Sequence, residues 1–138
     1  MAEWKKLLTA IPTNTLRAGI SVVYDNGSTV LPLNVPVFFV MPFDWAVANF
    51  EWVLIGTPSG SMTVKIFDCG SSTSFTYNST TEITPTGGIS ISSATIAYGS
   101  GNGWSLTGVL ARKDIIRFEV TACTTITRAT VTILPVRT

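Results

Sequence analysis

From Val109 to Val136 the chain reads VLARKDIIRFEVTACTTITRATVTILPV, and its apolar positions recur at a period of two on both sides of a short break. Ile116, Phe118, Val120 and Ala122 fall on one side, with Arg117, Glu119 and Thr121 on the other, which is the pattern of a half-buried strand. Beyond Cys123, Thr124 and Thr125 the alternation resumes, with Ala129, Val131 and Ile133 apolar and Arg128, Thr130 and Thr132 opposite. The expectation is a terminal antiparallel hairpin whose apolar face needs a second sheet to cover it.

The same period runs through the rest of the chain. Gly19 to Tyr24 and Thr29 to Leu33 flank Asp25-Asn26-Gly27-Ser28, and Asn-Gly between apolar runs predicts a first hairpin. Val37 to Met41 is a short strand between Pro36 and Pro42. Trp45 to Ile55 is the longest strand expected, with Ala46, Ala48, Phe50, Trp52 and Leu54 on a core face. Its second face, Trp45, Val47, Asn49, Glu51 and Val53, is more apolar than solvent requires, so cover by the N-terminal arm or a neighbouring subunit is expected. Thr57-Pro58-Ser59-Gly60 reads as a turn that makes Ser61 to Asp68, with core face Met62, Val64 and Ile66, the partner strand of a hairpin over residues 45–68. Asn78 to Gly88 and Gly99 to Gly103 read as loops, and Arg112-Lys113-Asp114 as a tight turn. No stretch shows helical periodicity with caps. The fold expected is all-β, an antiparallel β-sandwich of jelly-roll type, in one domain over residues 19–138.

Residues 1–18 stand apart. MAEWKKLLTAIPTNTLRA holds Trp4, Leu7, Leu8 and Ile11 but meets Pro12 too soon for a stable helix, which predicts an extended arm that docks. It has no apolar core of signal-peptide length, so secretion by that route is not expected, and the sequons at Asn26 and Asn78 are then chance matches.

Composition sharpens this. Hydrophobic residues make up 46% and charged residues 12%, against about 25% charged in an average soluble domain. Hydroxyl-bearing side chains take over the surface, and few ionic groups would need desolvating on contact, so the chain is expected to assemble. The interface candidates are Trp4, Leu7, Leu8, Ile11, Trp45, Val47 and Val53. A net charge of +1 from scattered basic residues provides no field for nucleic acid or an anionic membrane, and apolar runs are too short to span a bilayer.

The chain has no histidine, which removes the usual base of nucleophilic hydrolases and the commonest metal ligand. Cys69 and Cys123 alone make no standard zinc site and read as free thiols, with an inter-sheet disulfide as the alternative. What is left for catalysis is a carboxylate pair drawn from Asp25, Asp44, Glu51, Asp68, Glu82, Asp114 and Glu119, most of them at turns or beside a basic residue. No enzyme activity and no cofactor are expected. Exposed Tyr77, Tyr98 and Trp104 are candidates for stacking on sugars.

Met41-Pro42-Phe43 entering a long strand, the turn Thr57-Pro58-Ser59-Gly60-Ser61, a strand ending near Asp68, a Ser/Thr/Gly-rich middle and the closing Leu110-Ala111-Arg112-Lys113-Asp114-Ile115-Ile116 form one pattern. Over Pro42 to Val136 it resembles a β-sandwich domain recurrent in virion proteins of tailed bacteriophages. Relatives tend to carry Leu-x-x-Gly-Asp where this chain has Lys113 before Asp114. Glu3-Trp4-Lys5-Lys6 also resembles the start of small phage virion proteins. The resemblance implies a head decoration (cement), head-fibre or tail component, commonly a homotrimer bound to the major capsid or tail protein and assembled in the host bacterial cytoplasm. The alternative expectation is a carbohydrate-binding receptor-recognition domain for a cell-surface glycan.

Overall fold

A computed structural model describes residues 19–45, 50–85, 88–101 and 110–135. The chain is all-β and antiparallel there, with no helix among the described residues. Six strands among the described residues form one sheet: β1 (Ile20–Asp25), β2 (Pro36–Val40), β3 (Phe50–Ser71), β4 (Ile89–Gly101), β5 (Asp114–Thr124) and β6 (Arg128–Pro135). The order is β1-β6-β3-β5-β2, with β4 also paired to β3.

The three expected hairpins are absent, and one physical cause accounts for all of them. β3 is a single strand of 22 residues that passes straight through Thr57-Pro58-Ser59-Gly60. Thr57 and Ser59 do not close a turn on themselves; their carbonyl oxygens accept from the neighbouring segment. Thr127 N donates to Thr57 O at 2.9 Å and Thr125 Oγ1 to Ser59 O at 2.7 Å. β5 and β6 likewise lie end to end along β3, with Thr124 opposite Ser61 and Arg128 opposite Thr57. Two turn signals at the same level therefore bend both passes together instead of reversing either. Asn26-Gly27 does make a local turn, with Gly27 at φ 65° and Thr29 N donating to Asn26 O at 3.1 Å. The chain then runs on past it: Leu31 N donates to Ile126 O and Asn34 N to Val120 O before β2 pairs β5.

The result is four antiparallel passes, β1–β2, β6–β5, β3 and β4, creased at one level. β4 bends there at Ser92–Ser93, where Ser93 takes φ 48° and donates its N–H to Ser61 Oγ at 3.0 Å. Sheets that turn corners do so at such bulges, and the curl gathers the apolar faces into one core. Phe50, Trp52, Leu54, Met62, Val64 and Ile66 keep the same side of β3 across the crease. They meet Ile116, Phe118 and Val120 of β5 and Val131 and Ile133 of β6.

Ala122, expected in that core, is exposed. Val120 pairs with Val64 but Ala122 with Thr63, so Thr121 is an extra residue that flips the alternation and turns Cys123 inward instead. Cys69 and Cys123 are free thiols.

Candidate interaction surface

The crease divides the outer face of the sheet into two halves of different chemistry. In the half built from β1, β6, β3 and β4, register places Val23, Thr130, Ile55 and Ile96 in one row and Ser21, Thr132, Val53 and Tyr98 in the next. Eight positions across four strands carry no charge. Tyr98 is 79% exposed, Val23 67%, Ile96 53% and Ile55 46%. Charge sits at the margins, with the Asp25–Arg128 pair (3.1 Å) above the first row and Glu51 below the second. An apolar centre with a polar rim is the anatomy of a protein interface.

The other half is covered. A row runs from Phe38 of β2 through Arg117 of β5 and Phe67 of β3 to Glu82. Alternation points Arg117 to solvent, yet the residue is 6% exposed, because the 72–80 segment folds over it. Its Nη1 donates to Tyr77 O at 2.6 Å and its Nη2 to Ser79 O at 2.8 Å, while Nε lies 2.8 Å from Glu119 Oε1. Its Cζ is 4.4 Å from the centre of the Phe67 ring. The pinned segment carries Phe75 and Tyr77 to Phe38, with ring centres 5.7 Å and 5.4 Å from it, and the three rings form an exposed cluster. Beside it lies an open depression of about 420 Å³ lined by Asp68, Thr76, Asn78, Ser79 and their neighbours.

Of the interface candidates, Trp45 is fully buried, paired in an isolated bridge with Leu110 and stacked near Phe43, so its indole belongs to the core. Val53 is half-buried on the uncharged outer face. Trp4, Leu7, Leu8, Ile11 and Val47 lie outside the described residues, as does Trp104. Tyr77 and Tyr98 stand on different halves of the creased sheet and do not form one stacking site. Periodicity does not single out Val23, Ile55 and Ile96; pairing register is what makes them a row.

Four of the carboxylates hold parts of the structure together. Asp44 Oδ1 accepts from Arg112 N at 2.7 Å, Asp114 Oδ2 from Ala111 N at 2.8 Å and Asp68 Oδ1 from Gly70 N at 2.9 Å. Glu82 Oε2 is 3.5 Å from Lys65 Nζ. Among the described residues no cluster of His, Cys, Asp and Glu could hold a metal ion.

No family model matches the chain, and neither does any curated protein. Solved structures similar to it include that of nora virus, 11% identical over 86% of this chain and 54% of that one, with a TM-score of 0.38. This chain therefore spans about half the length of that match. The SPBc2 prophage-derived protein YomS is 13% identical over 86% of this chain and 96% of its own, with a TM-score of 0.36. The infectious bursal disease virus Gx strain structure is 13% identical over 87% and 34% of the two chains, with a TM-score of 0.32.

Proposed function

We propose that the protein is a non-enzymatic structural component of a phage virion, a homo-oligomer attached to the capsid or tail as a decoration (cement) or fibre protein. The observation that carries this reading is the uncharged outer face spanning four strands. Its rows are about 7 Å apart and its strands about 4.8 Å apart, so the plate covers roughly 300 Å². That is well short of the roughly 800 Å² per partner of a standard interface. The plate thus calls for further contacts, and the arm with Trp4, Leu7, Leu8 and Ile11 is the expected source of them. The trimer number and the virion location come from the sequence resemblance.

Sedimentation equilibrium and binding to purified particles, each with and without residues 1–18, test the proposal. A concentration-independent oligomer and particle binding that depends on the arm are expected. A monomer at micromolar concentration whose particle binding survives the deletion overturns it.

The Phe38, Phe75 and Tyr77 cluster beside a depression rich in hydroxyls favours a second reading, glycan recognition. Saturable binding of host cell-wall glycan that is abolished by Tyr77→Ala would support it.

A further inference from the structure

We infer that copies of this protein join edge to edge, β4 of one copy adding to β1 of the next so that a single antiparallel sheet runs through both. The inference rests on the homo-oligomer reading and specifies one of its contacts.

β1 and β4 are the two lateral edges of the uncharged half. β1 hydrogen-bonds to β6 alone and β4 to β3 alone, so among the described residues each presents a free row of backbone N–H and C=O groups. Monomeric proteins guard such edges with charge, proline or a covering segment. β4 has none of the first two: Ile89–Gly101 contains no Asp, Glu, Lys, Arg or Pro. β1 carries one charge, Asp25, which is at its end and already paired with Arg128 of its own chain.

Strand polarity favours a second copy as the occupant. Directions alternate through β1, β6, β3 and β4, so β1 and β4 run in opposite senses, and β1 of a following copy laid beside β4 stays antiparallel. The levels also agree. Val23 already shares a row with Ile96, and Ser21 with Tyr98, so a copy placed at the same height sets Val23 against Ile96 as a cross-strand pair. Each copy offers one edge of each kind, so the contact is head-to-tail, the kind that makes a closed ring when the rotation from copy to copy divides a full turn. Backbone pairing supplies the contacts that the small outer plate lacks, and the plate becomes continuous from copy to copy.

Sedimentation velocity on Ile96→Lys and Val23→Glu variants tests the contact, and hydrogen exchange reads the edge directly. Both side chains are exposed, so the fold is expected to survive. Each variant alone should weaken self-association at least tenfold, and combining both substitutions in one chain, which sets an ammonium opposite a carboxylate at every junction, should restore it. In the wild-type oligomer, alternate amides of β4 should be protected, and they should exchange freely in the Val23→Glu variant, whose β1 edge no longer pairs. An association unaffected by Val23→Glu, or β4 edge amides that exchange equally fast in the wild-type oligomer and in the Val23→Glu variant, overturns the edge contact while leaving the oligomer intact. A wild-type protein that stays monomeric overturns the oligomer reading and this contact together.

Discussion

Gly60 of β3 lies against the carbonyl oxygen of Thr124 at the end of β5, so closely that a Cβ added to it would occupy the same space as that oxygen and as Thr125 Oγ1. The backbones of the two creased passes can approach this far only because one of them carries no side chain there.

Gly60→Ala should therefore force the crease apart. The obstacle is main chain, which cannot swing aside, and a cost of about 2 to 3 kcal/mol is expected, in the upper range for overpacking. Gly56→Ala is the comparison, since its added methyl would meet the side chain of Ile126, chiefly its terminal Cδ1, and no main chain. Urea unfolding of the two variants should show Gly60→Ala as clearly the weaker protein; equal midpoints would show that the close approach does not hold the crease.

Phe118 is fully buried at the centre of the core, whereas Ala122, four residues further along β5, is exposed. Phe118→Ala should cost about 3 to 5 kcal/mol, and Ala122→Ser should change stability by less than about 0.5 kcal/mol. A large loss from Ala122→Ser would contradict the bulge at Thr121.

That contrast marks how much of the fold the residues disclose locally. Alternation identifies Phe50, Trp52, Leu54, Met62, Val64 and Ile66 as one face because period two survives wherever a strand stays extended. Pro58 and Gly27 announce that the chain bends, but the angle depends on the adjoining pass: Thr57 spends its carbonyl on Thr127, 70 positions away, rather than on a turn. The bulge at Thr121 has no local signal. Arg117 reads as solvent-facing from β5 alone, and its burial comes from a loop some 40 residues earlier. The uncharged face is half legible: alternation puts Val53 on the second, more apolar face of its strand, but its alignment with Tyr98 and Ser21 exists only once register is known.

Alkaline pH should destabilise the protein ahead of its other transitions. Burial raises the thiol pKa of Cys69 and of Cys123, partly offset by Arg117 for the first and by backbone hydrogen bonds for the second. Burial, with Glu119 adding to it, also holds the Tyr24 hydroxyl well above the ordinary tyrosine range, and that hydroxyl has no hydrogen-bond partner among the described residues. All three folded pKa values are raised, so their contribution is fully present below the unfolded values of about 8.5 for cysteine and 10 for tyrosine. Above those values the unfolded chain releases protons that the folded chain keeps, and stability falls. The urea midpoint should be flat from pH 7 to 8 and drop steadily from pH 9 to 10.5. A midpoint unchanged at pH 10.5 would sink this account.

The guanidinium of Arg117 ties the 72–80 segment to the sheet, and its replacement should separate two effects. Arg117→Ala leaves Glu119 without its ion-pair partner and the carbonyls of Tyr77 and Ser79 without their donor. Removing one member of a buried pair costs about 3 to 5 kcal/mol. Arg117→Lys keeps the charge, but a single ammonium cannot span two carbonyls and a carboxylate in one plane, nor stack on Phe67, so it should recover only part of the loss. The segment has other ties, Thr76 N to Cys69 O at 2.8 Å at its middle, Ser79 Oγ to Asp68 O near its end and Asp68 N to Thr81 O at 2.8 Å just beyond it, so losing Arg117 loosens the segment without freeing it. Limited proteolysis with an enzyme that cuts after aromatic residues should therefore cleave Arg117→Ala fastest at Phe75 and Tyr77, Arg117→Lys more slowly and the wild type least. If all three are cut at the same rate, those other bonds hold the loop by themselves and Arg117 serves only the sheet beneath it.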